Sequence, residues 1–290
     1  MTALALCRFA HFLAAMLVFG ASAYLWLYAP ERLMVALSPA VRRLALVGSI
    51  VALLTAIVWL ALESASFADD WGAALAPGAI GAVVTDTDFG HAWTAHLILA
   101  AALVAVVVFG PRGEWAATVV ASAALLASLG LVGHAAMQTG AEGVLHRANH
   151  AVHLLTTGAW IGALVPFVMC LRAYERGDLQ KEAIMAMTRF SFWGHFIVAA
   201  IVLTGAVNIA LTTGRPPIPP DTPYRALLDV KIVVVAIMIL AAVFNRYVLA
   251  PRLKRSARAL AVLRATSTAE VALGAVAVAL VSVFALLDPA

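Results

Sequence analysis

Residues 133–164 read GHAAMQTGAEGVLHRANHAVHLLTTGAWIGAL, and the stretch changes character along its length. Its first part holds four of the chain's eight histidines within 20 positions. Its second part belongs to an apolar run that continues to Leu171. Because an α-helix crosses the hydrocarbon core of a bilayer with about 20 apolar residues, the stretch predicts a membrane helix with histidines near one end.

The whole chain has the composition of an integral membrane protein. Of its 290 residues, 64% are hydrophobic and only 12% are charged, and the mean hydropathy is +0.98. Soluble domains carry about 25% charged residues. The apolar runs lack strand-like alternation, and lipid admits only backbones whose hydrogen bonds are closed internally. We therefore predict an all-α, polytopic membrane protein.

Eight apolar runs are predicted to form one bundle of eight transmembrane helices, and the connections are too short to fold alone, which predicts a single transmembrane domain over residues 1–290. The longest connection is expected to be an ordered external loop with a short interfacial helix anchored by Trp71. Glu270 is interpreted as part of the N-terminal cap of the last helix. The runs are Ala5 to Tyr28, Leu44 to Leu62, Gly90 to Phe109, Trp115 to Leu131, Leu145 to Leu171, Phe190 to Leu211, Leu227 to Leu249 and Glu270 to Leu287.

Lysine and arginine are unevenly distributed between the connections. The odd-numbered connections hold thirteen of them and the even-numbered connections hold two, Arg215 and Arg225. Positive residues are retained on the cytoplasmic side, so both termini are predicted to face outward, into the periplasm of a Gram-negative cell. The net charge of +4 thus indicates topology and not nucleic-acid binding. Cys7 and Cys170 then lie roughly 40 Å apart, too far for a disulfide.

This topology brings most of the histidines to one side of the membrane. At about 100° per residue, His146, His150 and His153 share a narrow helix face. His11 and His96 are expected about 9 Å below the outer boundary and His153 about 12 Å below it, close enough in depth to bind one ion. The outer side is predicted to hold His11, His91, His96, His134, His146, His150 and His153.

A layer of imidazoles from several helices predicts a site for copper, zinc, nickel or iron, and the thioether of Met137 favours copper. Cys7, one helical turn before His11, would add a sulfur ligand to the same face. Each residue also has a structural interpretation, because a transmembrane histidine often bonds to a neighbouring helix. That interpretation is preferred for His195, applies equally to His146 and His91, and is preferred for Cys7 and Met137 taken singly.

Several motifs together resemble the copper resistance protein D family, CopD, over nearly the whole chain. They are RFAHFLAAMLVFG (8–20), GHA (133–135), HAVHLLTTGAWIGALVPF (150–167), RFS (189–191), TPYRALLDVKIVVV (222–235) and FNRYVLAPRL (244–253). The resemblance implies copper handling across the inner membrane, with a copper ion as ligand and a separate periplasmic copper chaperone of the CopC type as partner. By this resemblance, recurrent positions of the family correspond to His11, His134, His153, Trp160, Gly162 and Lys231.

The function that we expect is non-enzymatic copper transport or homeostasis in the lipid bilayer of the bacterial inner membrane. The main alternative is a b-type haem cytochrome that uses the same histidines as axial ligands. A membrane metalloenzyme and a metal sensor or sequestering protein are further alternatives. The sequence leaves open the direction of transport, the copper oxidation state and the oligomeric state.

Overall fold

The computed structural model describes residues 2–111, 113–133, 137–214, 221–253 and 255–288. Within these ranges no residue lies in a β-strand, and the predicted all-α class is confirmed. The helices of these ranges are α1 (Thr2–Leu27), α2 (Glu31–Ala68), α3 (Pro77–Asp86), α4 (Asp88–Phe109), α5 (Ala116–Ser128), α6 (Gly140–Arg176), α7 (Gln180–Thr213), α8 (Pro223–Phe244) and α9 (Ala257–Phe284).

Each predicted apolar run corresponds to one of these helices. Seven of the helices named above, all except α3 and α5, are long and apolar enough to cross a membrane. The shorter α5 continues into a 3-10 turn that ends at Leu131, which makes an apolar segment of about 24 Å at 1.5 Å per residue. The chain is a polytopic membrane protein, whereas the count of eight crossings and the outward position of both termini remain predictions.

The connection between α2 and α4 is ordered, as expected. It forms two short elements, a 3-10 turn at Trp71–Leu75 and helix α3, and Trp71 is exposed. The hydroxyl of Thr87 accepts a hydrogen bond from Gly90 N and so caps α4. A Cβ at Gly90 would lie 2.0 Å from the carbonyl oxygen of Val83, so glycine is needed where α4 begins against α3.

Helix α1 lies at the centre of the bundle and contacts α2, α5, α6 and α9. At its crossing with α6, a Cβ on Gly20 would lie 2.3 Å from the Gly158 carbonyl oxygen and 2.6 Å from the Gly162 Cα. Small residues allow two membrane helices to approach this closely. The resulting contact joins the two halves of the chain through α1 and α6.

Helices α7 and α8 present apolar surfaces on the outside of the bundle. Phe192, Trp193 and Phe196 of α7 are exposed, as are Ile237 and Leu240 of α8. In water such a surface would be costly, but in a bilayer it faces lipid tails. The positions of these side chains therefore fit the membrane location.

The interpretation of Glu270 as an N-terminal cap is wrong. Helix α9 begins at Ala257, and its cap is Ser256, whose side chain accepts a hydrogen bond from Ala259 N. The stretch before Glu270 is amphipathic, with Leu263 buried and Arg264 exposed, so it continues the helix toward the inner side. Glu270 consequently lies midway along α9 and is 2% exposed.

Candidate metal centre

Two histidines from different helices meet in the half of the bundle that is predicted to face outward. His11 of α1 is fully buried and His96 of α4 is 1% exposed. Their Nε2 atoms are 3.0 Å apart, and their ring centroids are 4.9 Å apart. We call this arrangement the histidine pair.

The opposite nitrogen of each ring is held by a polar partner. His11 Nδ1 lies 2.9 Å from Thr55 Oγ1 and 3.1 Å from the Ala52 carbonyl oxygen, and His96 Nδ1 lies 2.8 Å from Ser128 Oγ. Both hydroxyl groups donate to carbonyl oxygens of their own helices, at 2.6 Å from Thr55 and 2.7 Å from Ser128. The hydroxyl oxygens can then accept a hydrogen bond from Nδ1–H.

The contacts assign the tautomer of His11, whose Nδ1 carries a proton because the Ala52 carbonyl can only accept. The Ser128 hydroxyl can accept from or donate to His96 Nδ1, so His96 can either donate from Nε2 to His11 or leave Nε2 open for a metal. When Nδ1–H donates in both rings, each Nε2 carries a lone pair directed at the other ring. A metal ligand histidine is oriented in the same way, by a hydrogen bond from its second nitrogen. A direct hydrogen bond between the two Nε2 atoms requires the His96 proton to lie on Nε2.

Aromatic side chains enclose the histidine pair. Trp93 stacks on His96 with centroids 4.5 Å apart and an angle of 23° between the planes, and Trp59 meets His11 edge-on at 5.8 Å. The indole nitrogens are themselves bonded, Trp93 Nε1 to the Ala56 carbonyl and Trp59 Nε1 to Glu63 Oε1. The tryptophans therefore fix the imidazole planes and keep bulk water away from the pair.

A surface pocket lies beyond this aromatic shell. It is lined by Asp88, Phe89, Leu131, Val132, Gly133 and Met137. Phe89 stacks on Trp93 at 5.2 Å and 18°, so two stacked aromatic rings separate the pocket from His96. Met137 is 71% exposed, so its thioether lies at the surface of the pocket.

The histidines of α6 face a different set of partners. His153 Nδ1 lies 2.9 Å from Thr204 Oγ1 of α7, and His150 Nδ1 lies 3.3 Å from Asn208 Nδ2. Asn149 donates to the Thr204 carbonyl and to Asn208 Oδ1. These residues form a polar layer between α6 and α7, which we call the α6–α7 polar layer.

The other sequence-predicted ligands have separate surroundings. His146 is 2% exposed, and its Nδ1 lies 2.6 Å from Gln138 Oε1. His91 Nε2 lies 2.9 Å from the carbonyl oxygen of Thr85, so it holds the turn between α3 and α4. His134 lies outside the described residues. In the parts of the chain that the structure describes, no group of three or more His, Cys, Asp or Glu side chains is arranged to hold a metal ion.

Two family models match the chain, one described as copper resistance protein D-like, N-terminal domain (residues 1–144), and one as copper resistance protein D (residues 184–284). The inner membrane protein YebZ of Escherichia coli (strain K12) is 34% identical over 284 residues, which are 97% of each chain. The chain belongs to the copper resistance protein D family. Copper resistance protein D of Pseudomonas syringae pv. tomato is 30% identical over 225 residues, which are 75% of this chain and 71% of that protein. No solved structure is significantly similar to the chain.

This copper resistance protein D family member is a multi-pass protein of the inner membrane. The histidine pair lies inside the segment matched by the N-terminal model, whereas His146, His150 and His153 fall between the two matched segments. The resemblance predicted from the motifs is confirmed, and most of α6 lies between the two matched segments.

Sequence analysis missed the residues that hold the pair in place. Thr55 and Ser128 are isolated hydroxyl residues in apolar runs, and Trp59 and Trp93 have the spacing of ordinary packing residues. Only a small signal was present, since Thr55, seven residues from the outer end of its run, falls near the same predicted depth as His11 and His96. Depth alone does not give the direction in which a side chain points.

Proposed function

We propose that the protein binds copper within the inner membrane and takes part in copper transport or homeostasis, with its metal site at the histidine pair on the periplasmic side. The observation that carries the proposal is the 3.0 Å approach of two Nε2 atoms whose Nδ1 atoms are both held by polar partners. The name of one relative, copper resistance protein D, supports copper as the metal.

The spacing of the pair suits metal ligation with a small adjustment. Metal–imidazole bonds of about 2.0–2.1 Å place two nitrogens about 3.3 Å apart in a tetrahedral site and about 4 Å apart when they lie on opposite sides of the ion. From 3.0 Å, the first geometry needs a movement of a few tenths of an ångström. The pair therefore supplies two adjacent ligands, and further ligands complete the site.

We propose further copper-binding residues at the surface pocket and on α1. Met137 lines that pocket outside the stacked Phe89 and Trp93 rings, where it would bind the ion before the pair does, and His134 follows Gly133 of the pocket lining in the sequence. Cys7 is buried near the pair, where its Sγ lies 3.2 Å from the Thr55 carbonyl oxygen. Sulfur and imidazole ligands together favour copper over harder cations.

The α6–α7 polar layer is the proposed second position for the ion. His150 and His153 supply imidazole nitrogens, and Thr204 and the two asparagines supply polar groups at membrane depth. Polar residues inside a membrane commonly mark an ion pathway. His146 and His91 are proposed to support the outer side of the site. A CopC-type periplasmic protein is the proposed copper donor, on the strength of the family resemblance.

The test is the metal content of the detergent-purified protein, measured by elemental analysis with a visible spectrum, before and after incubation with copper. We expect stoichiometric copper and no Soret band. Replacing His96 by Gln or His11 by Ala should lower copper affinity more than about 100-fold, because loss of a second-shell partner alone costs about 10–100-fold.

The matched control is His195→Ala. His195 bonds to the Phe192 carbonyl and the Tyr247 hydroxyl, away from both proposed positions, and its loss should leave copper affinity within about twofold. Equal losses in all three variants would contradict the proposed site. A strong Soret band in the purified protein would show that the histidines bind haem, which would require the Trp59 and Trp93 rings beside the pair to move.

A further inference from the structure

A buried carboxyl group lies midway along α9, a helix that carries neither histidine of the pair. Glu270 is 2% exposed, with thirteen helical residues before it and fourteen after it, each about 20 Å of helix. A charged side chain is costly at such a depth unless it is paired or neutralised. Among the described residues, no Lys, Arg or His nitrogen lies within 4.0 Å of the Glu270 carboxylate.

Two neutral side chains hold this carboxyl group. Asn245 Nδ2 donates to Glu270 Oε1 at 2.6 Å, and the Thr266 hydroxyl donates to Asn245 Oδ1 at 2.6 Å. Thr266 Oγ1 also lies 3.0 Å from the carbonyl oxygens of Val262 and of Leu263. We call these three side chains the carboxyl relay.

The carboxyl relay satisfies two protonation states of Glu270. In the state described above, the amide N–H donates to an ionised carboxylate. When a proton adds to a carboxylate oxygen, the new O–H can donate to Asn245 Oδ1 after the amide turns over. Asn245 Nδ2 then donates to Thr266 Oγ1, and the Thr266 hydroxyl donates to a carbonyl of its own helix. Each donor keeps an acceptor in both states, as buried polar groups require.

The backbone that carries Asn245 is itself unusual. Helix α8 ends in a π-helical turn, Asn245–Leu249, and this turn packs against α9. π-helical turns within α-helices are frequent at functional sites. The turn places the Asn245 side chain toward α9, where it is 7% exposed.

A second buried polar group lies next to the carboxyl relay. Ser267, on the same face of α9 and closer to its inner end, is 1% exposed, and its hydroxyl makes no hydrogen bond with any described residue. A buried hydroxyl without a protein partner usually binds water. Ser267 therefore adds a second buried polar group on the inner side of Glu270.

Several other ionisable groups on the elements packed against α9 have partners of their own, whereas Asp229 Oδ1 of α8 is buried without a hydrogen bond to any described residue. Tyr24 of α1 donates to the sulfur of Cys170 of α6, and Arg246 of the π-helical turn donates to Ser191 and lies over the Tyr247 ring. Lys231 of α8 lies 5.8 Å from the Phe284 ring, near the outer end of α9. The remaining ionisable residues in the core shared with α9 are Tyr28 and Tyr174.

From this arrangement we propose that Glu270 is an intramembrane proton-binding site, with Asn245 and Thr266 reorienting as the proton binds and leaves. A proton, and not a sodium ion, is the assigned ligand, because in the observed orientation Asn245 Nδ2 already donates to Oε1 at 2.6 Å; the sodium comparison below tests this choice. The proposal is independent of copper binding and is tested without copper.

The experiment is infrared difference spectroscopy of the protein in lipid nanodiscs while the pH is stepped. We expect a carbonyl band of a protonated carboxyl group that appears and disappears with pH and is lost in Glu270→Gln. The control, Glu175→Gln, removes an exposed carboxylate that is paired with Arg264, and it should keep the band. In Asn245→Ala the band should persist at higher frequency, because the carboxyl group loses a hydrogen-bonding partner.

The proposal would be overturned if the carbonyl band survived unchanged in Glu270→Gln. It would also be overturned if the wild-type protein showed no such band at any pH. A band that is suppressed by sodium but not by choline would identify sodium as the ligand instead and would also overturn it. Copper affinity measured on Glu270→Gln should equal that of the wild type, so failure of the proton site and failure of the copper site are distinguishable.

Discussion

Thr55 and Ser128 determine which nitrogen of each imidazole faces the other ring. Each hydroxyl donates a hydrogen bond to a carbonyl oxygen of its own helix, and its oxygen lies within hydrogen-bonding distance of a histidine Nδ1. Without these partners the rings could turn or exchange tautomers, and the two Nε2 lone pairs would no longer point at one position. The site thus depends on residues that contact no metal themselves.

Ser128→Ala is predicted to weaken copper binding about 10–100-fold, the usual cost of losing a second-shell partner. The substitution removes the only hydroxyl within reach of His96 Nδ1 among the described residues, while the Nε2 ligand stays. Copper titration of the purified variant measures the change.

Ser122→Ala is the matched control, since Ser122 is also buried in α5 but its hydroxyl bonds only to carbonyl oxygens of its own helix. It should leave copper affinity unchanged. A loss of similar size in both variants would mean that the effect comes from packing of α5 and not from the orientation of His96.

The α1–α6 crossing is the element that joins the segment holding His11 to the segment holding the α6–α7 polar layer. A Cβ at Gly162 would lie 2.1 Å from the Met16 carbonyl oxygen and 2.8 Å from the Gly20 Cα. Both obstacles are backbone atoms, so no side-chain rotation relieves the overlap.

Gly162→Ala is predicted to destabilise the protein by about 1–3 kcal/mol or more, the usual range for overpacking, because the two helices must separate. Thermal unfolding in detergent, followed by circular dichroism, measures the loss. Gly194→Ala is the control, because a Cβ at Gly194 in α7 meets no atom within 4 Å. It should be neutral or stabilise by up to about 1 kcal/mol through helix propensity; equal destabilisation would count against the crossing.

The helices were predictable from the sequence and much of the site was not, for a physical reason. Hydrophobic length gives each helix, and counting along it gives depth, so His11 and His96 were correctly expected at the same level. Rotation of each helix about its axis is set by tertiary packing, which a single sequence does not show. For this reason the role of Thr55 was not predicted. The start of α9 was predicted at Glu270, whereas an amphipathic segment extends the helix back to Ala257.

At the scale of the whole molecule, the charge distribution and the helix order should agree on one topology. The odd-numbered connections hold thirteen lysines and arginines, and the even-numbered connections hold two. Because basic residues are retained on the cytoplasmic side, these counts favour outward termini. This distribution of basic residues between the two sides holds only if α5 crosses the membrane. Without α5 the number of crossings would be odd, and the two termini would lie on opposite sides. The structure supports an antiparallel α4–α5 pair, since Ser128 at the end of α5 reaches His96 near the start of α4.

Reporter fusions will decide whether α5 crosses the membrane. Alkaline phosphatase, which is active only outside the cytoplasm, should be active when fused after Gln138, between α5 and α6, and after Asp288, and inactive when fused after Glu114, between α4 and α5, or after Arg255. The connection before α5 is the sharpest test, because it holds a single basic residue, Arg112, and is therefore held inside most weakly. Equal activity on both sides of α5 would remove one crossing and turn the C-terminus inward.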